Sequence, residues 1–202
     1  MKSLISFITK TSLVFASVAF AFSIIGLFLP NALIVGNPLI VSGISLEHVV
    51  GHIVWGLVAG IVSFSVRYAA IAGLFPIMLD FDHWLQFLDI EMIPRMAHSI
   101  PFAIVVVVIM IIIFGKKDLR LLAISFASIF THVSFDIFLG GWTKFPILAP
   151  FTSEFFIFSG YDWIVFEVIA MIIIATASII FLIKQKSQQI FKVYNLIGQE
   201  II

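Results

Sequence analysis

The heptapeptide Phe130-Thr-His-Val-Ser-Phe-Asp136 carries two ionisable side chains, His132 and Asp136. They lie inside a run from Leu121 to Leu139 that is otherwise apolar apart from small hydroxyls. On a helix the four-residue spacing puts both side chains on one face, one turn apart. An imidazole and a carboxylate are costly at membrane depth and call for a partner, a proton or a metal. The pair therefore reads as half of a metal site, whose other half must come from elsewhere in the chain.

Composition sets the frame for that search. Of the 202 residues, 62% are hydrophobic and 11% charged, too apolar for a soluble domain of this length. The pattern predicts an all-α polytopic membrane protein of about six transmembrane helices, because lipid requires every backbone polar group to be satisfied within the segment. A formal net charge of zero argues against a nucleic-acid partner. With no cysteine, disulfides and thiolate metal sites are excluded. Any metal must be held by His, Asp or Glu, and the chain has five histidines: His48, His52, His83, His98 and His132.

Read in order, Lys2 and Lys10 precede an apolar run from Leu13 to Leu29. The run ends in Pro30-Asn31 without a cleavage site, as a retained first helix would. Residues 31–46 read as a loop. The second helix is expected from Leu46 to Arg67, with Gly56 and Gly60 allowing close helix approach. The third is expected from Tyr68 to Leu88, through Pro76 and Asp80-Phe-Asp82-His83-Trp84. A polar loop with Asp89, Glu91, Pro94 and Arg95 leads to a fourth helix from Ala97 to Phe114. The fifth covers Leu119–Leu139 and ends at Gly140-Gly141. An apolar loop over 142–161 precedes a sixth helix from Asp162 to Ile183. The tail has Ile190, Val193, Tyr194 and Ile197 at helical spacing and reads as a separate interfacial amphipathic helix. The implied organisation is an N-terminal helix and loop over 1–44, a helical membrane domain over 45–183 and a cytoplasmic tail over 184–202.

The distribution of positive charge orients this scheme. With the N-terminus cytoplasmic and six spans, all of the 11 Lys and Arg residues except Arg95 and Lys144 face the cytoplasm. Trp84, Trp142, Tyr161 and Trp163 then form an outer aromatic belt. The same topology, set without reference to histidine, gathers His48, His52, Asp80, Asp82, His83, His98, His132 and Asp136 at the outer end of the bundle. Both termini are cytoplasmic and the site lies near the outer leaflet.

Simpler roles suit some of these residues. His48, beside Glu47, reads as a helix-start residue. Asp118 and Asp162 suit helix N-termini. Glu167, about a turn into the sixth helix, reads as a snorkelling residue or a partner of the site. The remaining set, His52, Asp80, Asp82, His83, His98, His132 and Asp136, offers the N and O ligands that suit Zn, Mn or Fe.

Four blocks carry a resemblance to the YdjM-like inner-membrane metal-dependent hydrolases. They are His52-Ile-Val-Trp-Gly56-Leu-Val-Ala-Gly60, Leu79-Asp80-Phe81-Asp82-His83, Arg95-Met-Ala-His98-Ser99, and Thr131-His132-Val-Ser-Phe-Asp136 followed by Gly140-Gly141 and Ala149-Pro150-Phe151. They cover about residues 48–155. Gly51 and Leu79 stand where the family has threonine and proline, and Arg95 lies three rather than four residues before His98. That family is in turn similar to zinc-dependent phospholipase C and the S1/P1 nucleases. Only one of their two helical His/acid pairs is present here, which implies one or two zinc ions rather than three.

The resemblance implies a membrane-bound hydrolase acting on a phosphoester of a lipid or amphipathic substrate. Asp82 and His83 are then ligands or general base, and Arg95 is a phosphate clamp. A metal-ion or proton transporter is a second reading, but the inner halves of the expected helices lack polar groups to continue a path. A haem carrier fits the carboxylates poorly. A non-catalytic protein with a structural metal is the fourth.

Overall fold

Local capping groups set where the helices start and stop. The computed structural model describes residues 2–28, 45–88, 95–115, 118–152 and 154–199. Helix α1 spans Lys2–Ile25 and runs into a 3-10 turn at Gly26–Phe28. Ser45 caps α2 (Leu46–Ile61), its hydroxyl accepting from the His48 N–H. Helix α3 (Val66–Met78) tightens into a 3-10 segment over Leu79–Leu88. A 3-10 turn at Arg95–His98 leads to Ser99, which caps α4 (Ile100–Phe114) through the Phe102 N–H. Asp118 caps α5 (Leu119–Gly140) through the Leu121 N–H. Gly141, at φ 70°, ends α5 in the left-handed region that a side chain would strain. Strands β1 (Trp142–Phe145) and β2 (Phe156–Ser159) pair antiparallel, with Trp142 opposite Ser159 and Phe145 opposite Phe156. Helix α6 covers Asp162–Gln199.

Helix α5 is central. It packs on α2, α3, α4 and α6, and both its polar and apolar residues are buried from Thr131 to Phe135. Helix α1 packs on α3, α4 and both 3-10 segments at their junction. Stacked Phe15 and Phe75, with Phe102 edge-on to Phe15, fill the centre of that contact.

Helices α2 and α3 cross with their backbones in close approach. Pro76 has no N–H, so the Ala72 carbonyl one turn earlier loses its helical donor. The bare backbone of Gly56 packs directly on that carbonyl, where any Cβ would collide with it. A Cβ on Gly60 would lie 2.7 Å from the Ala72 Cβ, and one on Gly73 would lie 2.8 Å from Leu57 Cγ. Three glycines thus bring two backbones together. The same approach sets His52, one turn before Gly56, beside the segment that follows α3.

Several expectations are corrected. The second helix stops at Ile61 and the third starts at Val66, so Arg67 belongs to the third; the turn at 62–65 supplies Ser65 as the new N-cap. The fourth helix starts at Ile100 because Ser99 caps it, leaving His98 in the preceding turn. The expected apolar loop over 142–161 contains the β-hairpin, whose alternating pattern buries Phe145. The tail does not form a separate helix: α6 continues unbroken from Asp162 to Gln199, with no Pro in it and no Gly before Gly198, next to its end.

Among the described residues, three of the six α-helices are long and apolar enough to cross a membrane: Lys2–Ile25, Leu119–Gly140 and the Asp162–Phe191 part of α6. Helices α2 and α4, with 16 and 15 residues, reach about 24 and 22 Å, short of a hydrocarbon core of about 30 Å. Most of the 31–46 loop, the loop acids Asp89 and Glu91, the Lys116-Lys117 turn, and the side chains of Trp84, Val193, Tyr194 and Ile197 lie outside the described residues.

Gly56→Ala should lower stability by about 1–3 kcal/mol, the usual cost of overpacking a close contact, seen as a lower unfolding temperature in detergent. A variant as stable as the parent would mean that the α2–α3 contact yields easily.

Candidate metal centre

Four helix ends meet at the same level. The start of α2 carries His48 and His52, and the segment after α3 carries Asp80, Asp82 and His83. The turn before α4 carries Arg95 and His98, and the last two turns of α5 carry His132 and Asp136. Alternating chain direction brings them together: each helix that leaves this end is followed by one that returns to it.

The Asp80 carboxylate is the hub. His48 Nε2 lies 2.9 Å and His52 Nε2 3.5 Å from Oδ2, while His83 Nε2 lies 3.1 Å, His98 Nε2 3.5 Å and His132 Nε2 3.6 Å from Oδ1. Every histidine of the chain therefore reaches one carboxylate. The 3-10 geometry after α3 contributes directly, since residues three apart eclipse there and set His83 over Asp80. Asp136 forms a second focus, 3.2 Å from His52 Nε2 and 3.4 Å from His132 Nε2, with Arg95 Nη1 at 3.8 Å.

Burial is nearly complete. His52, His98, His132 and Asp82 are 0% exposed and Asp80 is 3% exposed. Aromatic rings close the walls. Phe145, from β1, stacks on His98 at 5.4 Å and meets His132 edge-on at 6.2 Å. Phe135 packs edge-on against His52 at 4.7 Å. The rings of His52 and His132 lie parallel, 4.1 Å apart.

Hydrogen bonding orients His132. Its Nδ1 is 2.9 Å from the Pro76 carbonyl, which can only accept, so Nδ1 carries the hydrogen and, in the neutral ring, Nε2 is the atom left to present a lone pair. That Nε2 is the atom aimed at Asp80 and Asp136, and it has no hydrogen-bond partner. His98 Nε2, Asp136 Oδ1 and Asp82 Oδ1 are likewise buried without a hydrogen bond. Orphaned polar atoms at this depth are costly. The N···O separations of 3.4–3.6 Å around His52, His98 and His132 exceed hydrogen bonds. They match the ligand–ligand edge of about 3.3 Å in a tetrahedral zinc site with arms near 2.0–2.1 Å.

These residues can hold a metal ion. Four overlapping groups bring one ligand atom from each member within 4.8 Å of the others: His48, His52 and Asp80; His52, His132 and Asp136; Asp80, His98 and His132; and Asp80, Asp82 and His83. All seven ligands expected from sequence are thus at the centre, together with Arg95, which is 7% exposed and set against Phe145.

Two participants escaped the sequence reading. His48 joins the cluster as well as opening α2; its place four residues before His52, on the same helix face, was the available signal. Ser23 of α1 donates from Oγ to Asp82 Oδ2 at 3.1 Å, and a lone serine in an apolar helix carries no such signal. Glu167 is buried on α6 with neither carboxyl oxygen hydrogen-bonded, and it joins none of the four groups.

No family model, curated protein or solved structure matches this chain.

His132→Ala and Asp80→Asn should each abolish stoichiometric divalent metal measured by plasma mass spectrometry on detergent-purified protein. Retention of full metal content in either would overturn the ligand set. Chelation should lower the unfolding temperature, since a ligand at about 1,000 times its Kd contributes about 4 kcal/mol.

Proposed function

We propose that this protein is a membrane-bound metal-dependent hydrolase acting on a phosphoester of a lipid or amphipathic substrate. The reading follows the resemblance to YdjM-like hydrolases, and the observation that carries it is the convergence of five histidines and three aspartates with orphaned ligand atoms. Zinc is the ion that suits this N/O set best, as one or two ions, with Asp80 and Asp136 as the two foci. A divalent ion there would supply Lewis acidity and a water acidified toward pH ~7.

The chain's own groups fill the remaining roles. Asp82 is held by Ser23 through Oδ2, which leaves Oδ1 to accept the proton of an attacking water or to bind the ion. His83, on the same carboxylate hub, relays that proton or ligates. Arg95 sits loosely on Asp136 at 3.8 Å and can turn its planar fork to a phosphoryl group. Phe145 and Phe135 keep bulk water from the centre.

In the membrane arrangement proposed here the shorter helices also pass through the bilayer. The N-terminus is cytoplasmic by the distribution of Lys and Arg, and the centre lies near the outer leaflet of the inner membrane. A site at that depth suits a substrate whose tail stays in lipid. One-sided access agrees with the hydroxyls deeper in the bundle: Thr11, Ser125, Ser128 and Thr131 each bond a carbonyl of their own helix. They offer no continuous path for a transported ion.

Metal-loaded protein should release phosphate or a phosphorylated headgroup from long-chain phosphoesters, and His98→Ala should not. Arg95→Gln should keep its metal and lower kcat/KM about 10- to 100-fold, the value of a charged hydrogen bond. Absence of turnover on every lipid phosphoester, with metal bound, would leave a structural metal as the better reading. Asp82→Asn separates base from ligand: a base variant keeps metal and loses turnover, whereas a ligand variant loses both.

A further inference from the structure

At the opposite end of the bundle, two arginines are stacked between aromatic rings in a continuous column. Arg67 of α3 lies over Phe7 of α1 at 3.2 Å and faces the Tyr68 ring at 5.4 Å. Arg120 of α5 lies over the same Tyr68 ring at 4.2 Å and over Phe181 of α6 at 3.9 Å. Four helices contribute to it. Cation–π contact holds each guanidinium plane in place but leaves its edge donors unspent.

Among the described residues those donors have no acceptor. Among the described residues neither arginine forms an ion pair, and Nε of each is buried without a hydrogen bond. The Asp118 carboxylate, two residues before Arg120, is turned to other donors. It accepts from the Tyr68 hydroxyl at 2.8 and 2.6 Å and from the Leu121 N–H at 3.2 Å. Two guanidiniums held on one ring, against the single Asp118 carboxylate, leave a net positive field.

Depth identifies what would complete it. Phe181 lies 19 positions beyond Asp162 along α6, about 28 Å at 1.5 Å per residue, close to one hydrocarbon thickness. The column therefore stands at headgroup level on the face away from the metal centre. Arginine's planar fork suits phosphate oxygens, and anionic lipid is the phosphate source at that level.

We propose that Arg67 and Arg120 form a binding site for the phosphate of an anionic phospholipid. The site is independent of the hydrolase reading and needs no metal. Its charge complementarity favours phosphatidylglycerol over zwitterionic phosphatidylcholine.

Native mass spectrometry of the full chain, released from detergent with equal amounts of the two lipids, tests this. A basic residue near the headgroups contributes about fivefold in affinity, so the intact protein should retain phosphatidylglycerol about 25-fold over phosphatidylcholine. The double variant Arg67→Gln/Arg120→Gln should retain the two about equally, while Lys144→Gln should keep the parent preference. Persistence of the preference in the double variant overturns the proposal. So does an equal loss in Lys144→Gln, which would mark a diffuse charge effect. Should the double variant fail to fold, the single variants decide: Arg67→Gln and Arg120→Gln should each lower the preference about fivefold, and an unchanged preference in both overturns the site.

Discussion

The Asp80 carboxylate organises this molecule. One anion, 3% exposed, is reached by the Nε2 atoms of all five histidines in the chain. A carboxylate removed from water must be compensated, and here the compensation comes from four separate chain segments. Moving any one of them would leave charge or lone pairs stranded in an apolar surround. The cluster is thus both a candidate metal centre and a constraint on how the helix ends assemble.

The backbone meets that constraint through two linked devices. Pro76 removes an N–H and frees the Ala72 carbonyl, and Gly56 fits against it without a side chain. Just beyond, the chain tightens from α to 3-10 geometry, which aligns Asp80 with His83. The Pro76 carbonyl then receives Nδ1–H of His132 and fixes the tautomer that points a lone pair at the centre. One proline therefore acts on helix crossing and ligand orientation together.

The molecule is also polarised from end to end. Three carboxylates and five imidazoles collect at one end, and Arg67, Arg120 and Tyr68 at the other. Between them the buried Thr11, Ser125 and Ser128 hydroxyls bond carbonyls of their own helices. Such a layout keeps ionisable chemistry near the ends of the helices, where the cost of burying charge is lower.

Much of the site was legible because ionisable residues are conspicuous in a chain that is 62% hydrophobic. The one-turn spacing of His132 and Asp136, and the ionisable cluster from Asp80 to His83, needed only helical periodicity to be recognised. Helical class and apolar helices long enough to cross a membrane followed from the same composition. Tertiary structure decided what periodicity cannot. It set which helix faces meet, and so brought in His48 and Ser23. It folded part of the apolar 142–161 stretch into a hairpin that lays Phe145 on His98, and it ran α6 unbroken into the expected tail. It also held three helices too short to qualify as spans by length, because caps at Ser45 and Ser99 and the tightening after Met78 end α-geometry early. Sequence determines what must be compensated; only the approach of distant segments, through bare glycine and a freed carbonyl, determines what compensates it.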